Sequence, residues 1–434
     1  MIGAARPWSE SFPPAGALWV FALAWSISTI SLPAPGPVAG NGGFVAGVVL
    51  LASGALLCTW SSPARTLARA RALFPAWLVA AGGLALPLLA SAPSLGDVAL
   101  AARDALALGF FAVLAAVNDE KMRRALALAA LALLLLGVLS ALVTPLVPGW
   151  SAFEIGPHER VQAIPRFRGL SSTPAPAGVW ALSALGLSGG LPDGRTKKVL
   201  LLLSLLTALF TFSIATLALP AVLAFAALKH SRLRTVVTGA LGLGAAFVLY
   251  FHTLELVAGS RQVTISHVHP AYEDEGLGAR YLPIQDVGSK SLHVRGHETA
   301  YGSLARRGLT CFLEHPLTGV GPGRFIDRCP VMTMNTFGEW TDRRSPHNQM
   351  GAILSELGVV GLVLLVAALA VLSRRVRVVP GDRWANAALV GVAVCSLGSE
   401  TLFTLPVLGV LASRVTLKEA SGRGRGTAPE HSQA

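Results

Sequence analysis

The stretch RTKKVLLLLSLLTALFTFSIATLALPAVLAFAALKHSRLR, residues 195–234, decides the fold. Its interior, Leu200–Leu228, is almost wholly apolar. Both flanks are basic, with Arg195, Lys197 and Lys198 before it and Lys229, Arg232 and Arg234 after it. Basic residues beside an apolar run mark the cytoplasmic side of a membrane. A single helix over the stretch would join two cytoplasmic ends. At about 1.5 Å per residue it would also overshoot a hydrocarbon core of about 30 Å by about 15 Å. The polar break at Thr211–Ser213, followed by Thr216 and Pro220, resolves both conflicts. The stretch reads as a helical hairpin, two short spans joined by an external turn. Trp384–Ser413 reads the same way, with its break at Ser399–Thr401 and Pro406.

The same alternation extends outward along the chain. Basic clusters recur at Arg65/Arg69/Arg71, Lys121/Arg123/Arg124, Arg374/Arg375/Arg377/Arg383 and Arg414/Lys418/Arg423/Arg425, and each is expected in the cytoplasm. An even number of spans must lie between consecutive clusters. The expectation is an all-α polytopic membrane protein of about twelve spans with both termini inside. Spans 1–5 occupy residues 1–147, with the first block, near Ala17–Leu32, read as a retained span rather than a cleaved leader. A first external loop covers 148–172, and spans 6–9 cover 173–257. A large external loop, expected to hold short helices, runs over 258–349. Spans 10–12 cover 350–415, and residues 416–434 form a disordered cytoplasmic tail.

Composition agrees with that layout. Hydrophobic residues make up 53% of the 434 residues and charged ones only 13%, too few to cover a soluble domain of this length. The net charge of +12 does not indicate nucleic acid, because the cations sit in short clusters between apolar blocks. Cys58 and Cys395 lie within apolar blocks as packing residues. Cys311 and Cys329 both fall in the large external loop, an oxidising compartment, and are candidates for a disulfide.

Three segments carry polar chemistry. PHNQMGAILSELGVVG, residues 346–361, leads from the large loop into the tenth span. It places His347 and Asn348 at the outer membrane surface and Glu356 roughly 13 Å deeper. At that depth Glu356 must face a bundle interior, either as a structural hydrogen bond between helices or beside a wet cavity. His347 reads either as an interfacial residue or as a general base near neutrality. EHPLTGVGPGRF, residues 314–325, is a glycine-rich turn in the large loop. RGLSSTP, residues 168–174, opens the sixth span.

In order and spacing these segments resemble the O-antigen ligase and polymerase superfamily, over roughly Arg160 to Leu411. That family is similar to multispan glycosyltransferases of the lipid-donor class. The resemblance implies transfer of a glycan from a polyprenyl (undecaprenyl) pyrophosphate carrier on the periplasmic face of a bacterial inner membrane. A ligase would deliver it to a lipid A-core or similar acceptor. A polymerase would deliver it to another carrier-linked repeat. A non-enzymatic lipid-glycan transporter is the remaining alternative. No cofactor or metal is expected.

The resemblance also implies a His at the acceptor hydroxyl, here His347, and arginines that hold pyrophosphate. Fixed guanidinium groups suit the charge that a pyrophosphate leaving group gains. The candidates are Arg168, with Arg166 as its near neighbour, and Arg295, together with Asn348 and Glu356 as further substrate contacts. Arg295 lies further from Pro316 than the family pattern has it, which brings in Arg306 and Arg307 as rivals. The family's Ser-Arg pair appears here as Ser213-Ile214, so that arginine is missing.

Overall fold

A computed structural model describes residues 63–90, 93, 95–118, 120–144, 151–155, 165–171, 173–258, 261–266, 281–283, 292–329, 333–334, 340–341, 346–379, 383–399 and 405–417. The first two expected spans lie outside the described residues. The described chain is mostly helical. Helices α1 (Pro63–Ala90), α2 (Leu95–Val117) and α3 (Glu120–Val143) lead to a small antiparallel pair, β1 (Phe153–Ile155) with β2 (Pro165–Phe167). Then come α4 (Pro174–Leu187), α5 (Arg195–Phe210), α6 (Ile214–Ala227) and α7 (Ser231–Tyr250).

Among the described residues, four helices are long and apolar enough to cross a membrane. They are Arg71–Ala90 in α1, Met122–Leu142 in α3, Ser231–Tyr250, and Gln349–Arg375 further on. Their outward faces leave Leu89, Leu142, Leu243 and Leu369 exposed, as lipid-facing helices do. α4 is different. It is apolar all round, and twelve of its fourteen residues are buried, so it belongs at the centre of the bundle. Small residues let its neighbours close on it. A Cβ on Gly178 would lie 2.4 Å from that of Ala215, and one on Gly186 would lie 2.7 Å from Val410.

The break expected at Thr211–Ser213 is where α5 gives way to α6. Phe212 adopts φ 42°, and the Ser213 hydroxyl caps α6 by accepting from the Ala215 N–H at 3.3 Å. Pro220 lies inside α6 without ending it. The second hairpin is α12 (Arg383–Cys395) followed by α13 (Leu405–Ser413). Pro406 sits in the first turn of α13, where a missing N–H costs nothing.

Contacts sort the bundle into two ends. At one, Gly190 lies against the Arg123 backbone, and Arg383 donates to the Leu228 carbonyl at 3.3 Å. The Asn118 amide there donates to the carbonyls of Ala412, Ser413 and Val415. The basic clusters of α3, α5, α7 and α12 gather at this end. At the other, Tyr250 donates to the Leu397 carbonyl, Gly398 touches Ile214 and Leu249, and Gln349 donates its N–H to Ser396.

Strands add to two expectations. Besides the short helices expected of it, the large loop holds a sheet. The chain passes from α7 directly into β3 (Phe251–Ala258), which joins β4 (Arg261–Ser266), β5 (Tyr281–Pro283) and β6 (Leu292–Glu298) in an antiparallel sheet of order β4-β3-β6-β5. The reason is local. Thr253-Leu254-Glu255-Leu256-Val257 and Gln262-Val263-Thr264-Ile265 alternate in character and are rich in β-branched residues, which favour a pleated surface over a helix. Residues 416 and 417, expected in the tail, lie in a strand: β8 (Val415–Leu417) pairs with β7 (Val376–Val378), brought together where α13 ends.

The two ends predict a labelling pattern. In intact cells a membrane-impermeant maleimide should modify Thr310→Cys and leave Asp193→Cys unmodified until the membrane is opened. Asp193 at the basic end is 96% exposed, so failure to react reports the barrier and not burial. Equal labelling of both sites in sealed cells would remove the two-sided arrangement.

Candidate functional site

The first element of the site is the turn after β2. Ser171 donates to the Arg168 carbonyl at 2.9 Å, and Gly169 takes φ 54°. A Cβ on Gly169 would press at 3.2 Å on the Phe167 ring, so the Arg-Gly pair is fixed by conformation and space. Arg168 is half-buried. Its Nε donates to the Ser151 carbonyl at 2.7 Å, and it lines a cavity of about 30 Å³ with Gly137, Ser171, Trp180 and Thr207. That volume suits a single water, not a sugar. Arg166 lies opposite Glu154 in the β1–β2 register and reaches the Thr211 carbonyl at 3.4 Å.

The second element begins at His347. Its φ of 51° lies in the left-handed region that few side chains adopt. Such strain costs of order 1 kcal/mol and persists only where neighbours fix it. The neighbours are visible. Tyr301 meets the imidazole edge to face, with ring centroids 5.6 Å apart. Asn348 is buried and caps the short helix α10 (Gln349–Ala352). Its Oδ1 accepts from the Gly351 N–H, and its Nδ2 donates to the Pro346 carbonyl at 3.1 Å. The amide of Asn348, a candidate substrate contact, thus holds the backbone on either side of His347.

The helix then distorts. Ile353–Leu357 winds as a π-helix, and Gly358 has φ 61° before α11 (Gly358–Arg375) resumes. A break of this kind frees backbone groups that must find partners. They find them in the glycine-rich turn. The Ser355 carbonyl accepts from the Val320 N–H, and the Glu356 carbonyl accepts from the Gly321 N–H, each at 2.9 Å. In return Val359 and Val360 donate to the carbonyls of Pro316 and Leu317, each at 2.9 Å. The fit leaves no room for side chains. A Cβ on Gly319 would lie 2.4 Å from the Glu356 carbonyl carbon, and one on Gly358 would lie 2.5 Å from the Gly319 nitrogen. The half-buried Glu356 side chain emerges from this clasp.

Two further links hold the turn. Helix α8 (Ala300–Glu314) precedes it, and the short helix α9 (Phe325–Arg328) follows it. A disulfide between Cys311 of α8 and Cys329 joins the two, with Cα atoms 5.9 Å apart and both residues fully buried beside Val320 and Phe325. Closing a loop of this length restricts the unfolded chain by about 3 kcal/mol on the entropic account. Arg324 reaches Asp97, at the start of α2, at 3.4 Å; both side chains are mostly buried. Sequence reading did not single out Asp97, Arg324 or Tyr301. Asp97 and Tyr301 stand in no motif, and Arg324 was masked by the glycines before it.

Arg295 lies in β6, in register with Glu255 of β3 and with Pro283 of β5. Of its rivals, Arg307 pairs with Glu314 at 2.9 Å, and Arg306 is half-buried on α8. The 267–275 segment, with His267, His269 and Glu273–Glu275, falls outside the described residues. Arg166 and His347 share the non-basic end. From Arg166 contacts run through Thr211 and the α5–α6 turn to Ile214, Gly398 and Leu397, and Ser396 accepts from the residue two after His347. No family model matches the chain, and no curated protein matches it.

The clasp makes a sharp prediction. Gly319→Ala forces a methyl onto backbone that cannot yield and should destabilise the folded protein by about 3 kcal/mol or more. Gly239→Ala, in α7 with open space around it, should be neutral or stabilise by up to about 1 kcal/mol. Thermal unfolding of both variants in detergent checks this, and similar melting temperatures would refute the clasp.

Proposed function

We propose that the chain is an O-antigen ligase-type glycosyltransferase of a bacterial inner membrane. It crosses that membrane about twelve times and keeps the large loop in the periplasm. There it moves a glycan from a polyprenyl pyrophosphate carrier to a lipid A-core or similar acceptor. The observation that carries the reading is the clasp. The two segments that most resemble the family, 314–325 and 346–361, are joined backbone to backbone, as expected of parts of one site. Their junction holds a strained His347 beside Tyr301.

In this reading the carrier's tail stays in the bilayer and its pyrophosphate lies at the membrane surface. Arg168 and Arg295 neutralise the charge that develops on the leaving pyrophosphate. His347 accepts the acceptor hydroxyl's proton as that oxygen attacks the anomeric carbon. The carrier leaves as the pyrophosphate. Arg166 and Glu356 border the same region and orient the partners.

Complementation of a deletion strain tests this. The wild-type gene should restore capped lipopolysaccharide. Loss of the gene should leave long glycan on the carrier, whereas single repeats on the core would instead mean a polymerase. His347→Ala should lower transfer by about 10² to 10⁴ at normal membrane abundance. Arg168→Lys and Arg295→Lys should rescue poorly, because an ammonium lacks the planar fork. Wild-type transfer by His347→Ala would remove His347 from the chemistry.

A further inference from the structure

Helix α8 carries a surface that the fold leaves without a protein partner among the described residues. Its inner face is locked in place. Leu304 is 1% exposed, Gly308 rests on Gly351, and Cys311 is tied into the disulfide. Its outer face presents Leu309 and Leu313 one helical turn apart, 53% and 67% exposed, and Leu317 just beyond the helix is 68% exposed. Three large aliphatic residues in a row facing water are unfavourable, because their apolar surface stays hydrated.

Both ends of α8 are tied to membrane-crossing helices. At its start, Thr299 donates its N–H to the Tyr250 carbonyl at 3.0 Å and its hydroxyl to Leu249, at the mouth of α7. Beyond its end, Pro316 and Leu317 accept from Val359 and Val360, at the head of α11. Measured along the helices, Tyr250 lies about 24 Å from Arg234, and Val360 about 21 Å from Arg374. The two anchor points therefore sit at nearly the same depth above the basic end. A helix about 22 Å long between them runs along the membrane surface rather than into the aqueous space. Its leucine row continues onto the outer face of α11, where Val359, Val363 and Val366 are exposed.

We infer that α8 is an interfacial helix that seats Leu309, Leu313 and Leu317 among the acyl chains of the leaflet at the non-basic end. The ligand is bulk bilayer lipid. Arg307 and Glu314, paired on its flank, stay at headgroup level. Because Tyr301 on this helix contacts His347, lipid contact also fixes His347 at the boundary between acyl chains and headgroups. The inference needs only a membrane-embedded bundle and stands whether or not the chain is a transferase.

The test uses the full chain in nanodiscs of phosphatidylethanolamine and phosphatidylglycerol, with Cys58→Ser and Cys395→Ser and the loop disulfide intact. Nitroxide labels at Leu309→Cys, Leu313→Cys and Leu317→Cys should be open to oxygen. They should be roughly fivefold less open to an aqueous nickel chelate than a label at Thr310→Cys. Equal nickel access at all four sites would overturn the inference. So would labels immobilised and closed to both reagents, which would mean a protein partner or a second copy. Unsubstituted protein gives an independent reading. Carbenes generated on the acyl chains should insert into the peptide spanning Leu309–Leu317 and not into that spanning Gly190–Lys198. Insertion absent from the first peptide would overturn the inference as well.

Discussion

Four backbone hydrogen bonds between residues 316–321 and residues 355–360 carry much of this structure. A membrane helix cannot break at no cost, because its freed carbonyls and N–H groups lie where water is scarce. Here the break is satisfied by a turn from a different segment, and both sides need glycine. Gly319 and Gly358 adopt positive φ and approach closer than any side chain would allow. The disulfide and the Asp97–Arg324 pair brace the turn from two other directions. The loop is thereby part of the bundle and not an appendage on it. The arrangement explains how a polar, strained residue such as His347 keeps one position at the edge of an apolar bundle.

The bundle supplies the frame. α4 is buried nearly all round, and close glycine contacts draw α6, α12 and α13 around it. The long helices α1, α3, α7 and α11 carry exposed apolar faces on the outside. Tight packing at small residues is the force available between helices in lipid, where burial of apolar surface gives little. α1 and α11 show this directly, since a Cβ on Gly83 would lie 3.2 Å from that of Leu364, and one on Gly361 would lie 3.0 Å from the Gly83 carbonyl oxygen.

Much of this was legible in the sequence where side-chain character repeats. The basic flanks and the polar break at Thr211–Ser213 pointed to the α5–α6 hairpin, because a helix with two basic ends and a polar centre satisfies neither requirement of a span. Cys311 and Cys329 were recognisable as a pair in one loop. The β3–β6 sheet was not read, because its alternation is short and interrupted by charged residues. The clasp was not readable either. Backbone hydrogen bonds leave no trace in sequence except glycines, and those glycines suggest an ordinary turn equally well. Arg295 was chosen by its place in a motif. Its strand setting opposite Glu255 follows from pairing across residues distant in the chain.

Glycine-rich turns on membrane-protein loops usually exchange their amide hydrogens quickly, since water reaches them. The clasp requires the opposite for the amides of Val320, Gly321, Val359 and Val360. Hydrogen exchange followed by mass spectrometry on the intact protein in nanodiscs measures them directly. The account predicts protection of the peptide spanning residues 316–324 comparable to that of α11. Exchange of that peptide at the rate of an unstructured loop would contradict it.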